Sequence, residues 1–111
     1  MEFNEIDLHD ATADVLQKVK LQIEKDLALC NFTYPFETVR DLPALVPELL
    51  AKIEELKQRG SADIMKIIFR VDLTERQYKK VGNMEGEWAL NLAKAIVLRE
   101  FQKIVIRKRY G

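Results

Sequence analysis

Apolar residues recur along this chain at helical spacing. Leu16, Val19, Ile23, Leu27 and Cys30 step by three and four residues, which puts them on one stripe of a helix running from Asp10 or Thr12 to Cys30. Asp10 and Thr12 are candidate N-caps, because their side-chain oxygens can accept from the free N–H groups of a first turn. The periodicity is lost over residues 31–42, where Asn31, Thr33, Pro35, Thr38 and Asp41 predict a connector. Its aromatics Phe32, Tyr34 and Phe36 are expected to tuck under the edge of the core; the alternative is a face turned to a partner. A second stripe, Val46, Leu49, Leu50, Ile53 and Leu56, follows Pro43 and Pro47 and ends at Gly60. Either proline can open a helix, since the N–H it lacks is one that a first turn leaves unpaired, and glycine suits the residue after a helix.

Residues 61–73 are ambiguous by pattern. Ile64, Met65, Ile67, Ile68, Phe69 and Val71 suit a buried strand or a buried helix. Ser61 as an N-cap, Asp63 in the first turn and the Ile64, Ile67, Ile68, Val71 spacing favour a helix; the β-branched residues favour a strand. A strand here would need a mate, and only Phe101 to Arg107 offers one. The helix is therefore preferred. Thr74 followed by Glu75 predicts a fresh N-cap and a short helix through Val81, closed by Gly82-Asn83. The longest candidate helix runs from Glu85 to about Arg109. In its first half, Trp88, Ala89, Leu90, Leu92, Ala93, Ala95, Ile96, Val97 and Leu98 leave only a narrow polar strip at Glu87, Asn91 and Lys94. Such a segment must be surrounded by other helices or by a second copy.

The expected fold is thus all-α, a bundle of four or five helices with the Trp88 to Ile106 helix central, in one domain spanning residues 1–111. The alternative is α+β, with strands near 64–71 and 101–107. At 111 residues and 48% hydrophobic, with Gly 4 and Pro 3, composition argues against disordered and low-complexity classes. A single cysteine excludes an intramolecular disulfide and fits a reducing compartment. The acidic start Met1-Glu2-Phe3-Asn4-Glu5 lacks the basic and apolar regions of a secretory signal, so a cytoplasmic location is expected. No apolar run approaches the roughly 20 residues of a membrane span.

Charge changes the picture more by its distribution than by its sum. The net charge is zero. Residues 1–55 nevertheless hold 12 acids and 5 bases, a net −7, and the remainder 6 acids and 13 bases, a net +7. The halves could pack on one another, copies could associate head to tail, or the basic half could meet an anionic partner.

Candidate chemistry is sparse. His9 and Cys30 are the only pair for Cys-His nucleophilic catalysis, and nothing in the sequence brings them together; they read as a solvated or capping histidine and a small core residue. One histidine and one cysteine cannot build a transition-metal site without carboxylates. Asp7, Asp10 and Asp14 share a helix face, which could serve a divalent cation or acid-base work but equally suits a solvated helix N-terminus. The glycines fit no phosphate-binding loop. Neither catalysis nor a cofactor is expected. The strongest unusual feature is a basic stripe, Arg99, Lys103 and Arg107 at successive one-turn positions, with Lys108 and Arg109 beside them. Like charges so spaced repel by roughly 0.2–0.5 kcal/mol per pair, so the stripe needs counter-charge, open solvent or an anionic partner. Together these features lead to a small non-catalytic helical interaction module, self-associating or bound to a protein partner through apolar helix surface. Nucleic-acid binding through Arg99, Lys103, Arg107, Lys108 and Arg109 is the alternative.

Overall fold

A computed structural model describes residues 13–28, 36, 39–83 and 88–110, with the backbone alone at 61, 83 and 107–110. Five helices form among them: α1 (Ala13–Ala28), α2 (Leu45–Arg59), α3 (Ser61–Val71), α4 (Glu75–Asn83) and α5 (Trp88–Tyr110). The fold is all-α, with no strand among the described residues. The ambiguous stretch is α3, and its proposed strand partner is the second half of α5. Ile64, Ile67, Ile68 and Val71 are all buried on one face of α3, so helical spacing outweighed β-branching.

Local chemistry sets the ends. Ahead of α2, the Ala44 N–H donates to Asp41 Oδ1 at 2.9 Å, and the Leu45 and Val46 N–H groups donate to Leu42 and Pro43 carbonyls. Pro43 stands in this lead-in turn and Pro47 in the first turn of α2, where its missing N–H costs nothing. Gly60 closes α2 with φ 119°, its N–H donating to the Lys57 carbonyl, and it is also the N-cap of α3. That backbone angle demands glycine although the space around it is open. Ser61 is consequently the first helical residue and not the N-cap expected for it. Thr74 does cap α4: its Oγ1 accepts from the Gln77 N–H at 3.1 Å while Gln77 Oε1 accepts from the Thr74 N–H at 3.0 Å, a reciprocal capping box. Helix α4 extends to Asn83, so Gly82 and Asn83 are its last residues rather than its terminators. The proposed caps Asp10 and Thr12 lie outside the described residues.

Helix α5 is the axis of the bundle. It packs against all four other helices, most extensively against α2 and then α1. Ala89, Leu92, Ala93, Ile96 and Val97 are buried there, so its apolar first half is surrounded by the chain's own helices. Of the narrow polar strip Glu87, Asn91 and Lys94, Lys94 is exposed, Asn91 is buried, and Glu87 lies outside the described residues. Phe36 from the connector is buried, and its N–H donates to Glu24 Oε1 of α1 at 2.9 Å. Phe32 and Tyr34 lie outside the described residues. The radius of gyration, 13.2 Å, equals the roughly 13 Å expected of a compact chain this long.

Candidate functional site

The first two residues of the basic stripe, Arg99 and Lys103, are folded onto the end of α3. Asp72, which follows Val71, adopts a left-handed conformation (φ 60°, ψ 53°), and its N–H donates to the Ile68 carbonyl at 3.1 Å. The last carbonyls of α3 are left facing α5. Arg99 Nε donates to the Asp72 carbonyl at 2.8 Å, and its Nη2 lies 3.6 Å from Asp72 Oδ2. One turn on, Lys103 Nζ donates to the Val71 carbonyl at 2.9 Å. Both cations therefore cap the negative end of the α3 dipole. For Arg99 and Lys103 the counter-charge that the sequence called for comes from the chain itself. Arg107, Lys108 and Arg109 continue α5, and their side chains lie outside the described residues.

Beside Lys103 is a polar cluster that sequence reasoning missed. Glu100 is 0% exposed and Asp26, on α1, 2% exposed. Lys103 Nζ lies 2.8 Å from Glu100 Oε1 in an ion pair, and Glu100 Oε2 has no donor. Gln22 Nε2 donates to Asp26 Oδ1 at 3.1 Å, leaving Asp26 Oδ2 without a donor. Burial pushes the Glu100 carboxyl up from 4.5 to about 7; Lys103 pulls it down, and the negative charge and hydrogen bonding of Asp26 push it up again. A signal for this cluster existed. Asp26 falls seven residues after Val19 and three after Ile23, on the apolar stripe, and Glu100 stands one turn from both Ile96 and Ile104. Nearby on α1, buried Lys20 donates to the Val39 carbonyl at 3.0 Å and holds the connector down.

Of the remaining candidates, Asp14 falls within the described residues. Asp14 is exposed and pairs with Lys18 at 3.4 Å, while Asp7, Asp10, His9 and Cys30 lie outside the described residues. Among the described residues no group of three or more His, Cys, Asp or Glu side chains could hold a metal ion. No described helix is long and apolar enough to cross a membrane. Large apolar side chains do reach solvent: Phe69 on α3 is 75% exposed, and Leu21, Tyr78, Trp88 and Ile106 are exposed to a lesser degree. Comparison with protein families, curated proteins and solved structures finds no match.

Proposed function

We propose that this chain is a small non-catalytic helical interaction module of the cytoplasm that associates with itself through the outward face of α3. The observation carrying this reading is Phe69. Ile67 and Ile68 beside it are buried, yet its ring is 75% exposed on a regular helix. Covering such a ring is worth about 1.5–3 kcal/mol, enough to anchor a weak, concentration-dependent contact when two copies contribute one each. In the apolar first half of α5, which first suggested self-association, Ala89, Leu92, Ala93, Ile96 and Val97 are occupied inside the bundle, so the contact surface moves to α3. The nucleic-acid reading loses Arg99 and Lys103 to the end of α3 and is not favoured.

The test is the solution mass by light scattering, over a concentration series at low and high salt, for the wild type and Phe69→Ser. Lys66 and Arg70 flank Phe69, so a symmetric contact brings cations together. Association that strengthens with salt and is lost in Phe69→Ser is expected. A wild type that stays monomeric throughout, or a variant that associates equally well, overturns the reading.

A further inference from the structure

The Asp26–Glu100 cluster has no part in that association surface, yet it buries a carboxyl from α1 and one from α5 near enough for Asp26 to act on Glu100 by charge and hydrogen bonding. Each has an oxygen with no donor: Oδ2 of Asp26 and Oε2 of Glu100. Orphaned buried acceptors are costly, and two carboxylates in contact repel. One proton held between them removes both difficulties, because the protonated group donates to the other. With one proton the set of Asp26, Glu100 and Lys103 is neutral; without it, the set carries a net negative charge in the core.

We infer that Asp26 of α1 and Glu100 of α5 share a proton that latches α1 to the bundle, and that loss of this proton loosens α1. The surroundings support a local latch. Among the described residues, the charges acting on Glu100 are those of Lys103 and Asp26. Helix α2 brings only aliphatic buried side chains. Those of α3 are aliphatic too, its carbonyl end being held by Arg99 and Lys103. From α4 come buried Val81 and Gln77, which donates to Gln102. On α1 the other buried charge, Lys20, is turned to the Val39 carbonyl. No described basic residue besides Lys103 is placed to replace the proton when it leaves.

The direction follows from linkage. In the unfolded chain Glu100 gives up its proton near 4.5, and in the fold it holds it to about 7. Docking of α1 is fully supported below the lower value, and that support is lost as pH rises through the higher. The experiment is amide hydrogen exchange of the full chain from pH 5 to 8, corrected for the intrinsic pH dependence of exchange. It follows α1 in the wild type, Glu100→Gln and Asp26→Asn. The expected result is that the opening of α1 increases roughly 10- to 100-fold over this range in the wild type, rises less in Asp26→Asn and stays flat in Glu100→Gln. Coincident wild-type and Glu100→Gln profiles would overturn the proposal. Should the variants not fold, a carboxyl carbon titration of wild-type Glu100 by NMR decides. A midpoint near 7 that moves with the Asp26 resonance supports the shared proton, and one in the ordinary carboxylate range refutes it.

Discussion

Helix α5 rests on α2 on one side and on α1 on another, and the two contacts are built from different material. From α2 come Leu45, Leu49, Ile53 and Leu56, all buried and all aliphatic. From α1 come Val15, Val19, Ile23 and Leu27, but Lys20 and Asp26 are buried with them, and α5 answers with Glu100. Apolar burial is indifferent to pH and scales with area, so the α2 contact contributes stability under any condition in which the chain folds. Buried charge contributes only while its partners and protons are in place. The α1 contact is therefore conditional, and the bundle has one permanent side and one that responds to its surroundings.

The largest effect should come from breaking the permanent side. Leu49→Ala removes a fully buried side chain at the α2–α5 contact and is expected to cost about 2–5 kcal/mol by chemical denaturation. The loss should be the same at pH 5 and pH 8; a loss that grows with pH would mean the two contacts are not separable. Next comes the conditional side. A folded value near 7 against 4.5 unfolded corresponds to about 3 kcal/mol at most, so wild-type stability should fall as pH rises from 5 to 8 and level off beyond. Glu100→Gln should abolish that slope and be the more stable protein at pH 8; a wild type more stable at pH 8 than at pH 5 would contradict this. Lys20→Met keeps the apolar stem but leaves the Val39 carbonyl without its donor, and a loss of about 1–2 kcal/mol is expected in thermal melts. Thr74→Ala, which breaks the capping box of α4, should cost about 1 kcal/mol at every pH and serves as a reference remote from both contacts. Phe69→Ser should alter stability by less than about 0.5 kcal/mol while removing association, since its ring faces solvent.

Much of the fold was legible along the chain. The Ile64, Ile67, Ile68, Val71 spacing and the Thr74 cap announced α3 and α4, and Gly60 marked the break between α2 and α3, because each of these signals acts within a turn or two of helix. The fate of the basic stripe was not legible. Arg99 and Lys103 look like free charge because the groups they bind, the carbonyls of Asp72 and Val71, lie 27 and 32 residues away and carry no side-chain signature. The burial of Asn91 was not legible either, since a polar residue on a helix shows its surroundings only once the packing of its neighbours is known. Asp26 and Glu100 stood on apolar stripes in plain view, and the assumption that carboxylates face water concealed them.

By itself, then, the sequence determined which stretches are helical, the break at Gly60 and the cap at Thr74, since periodicity, caps and glycine conformation are properties of neighbouring residues. Only the tertiary structure decided which polar groups enter the core, which cations close the end of α3, and that α5 is enclosed by this chain's own helices. Those outcomes depend on what packs against each face, and a burial energy exists only once the distant segment that excludes water has arrived.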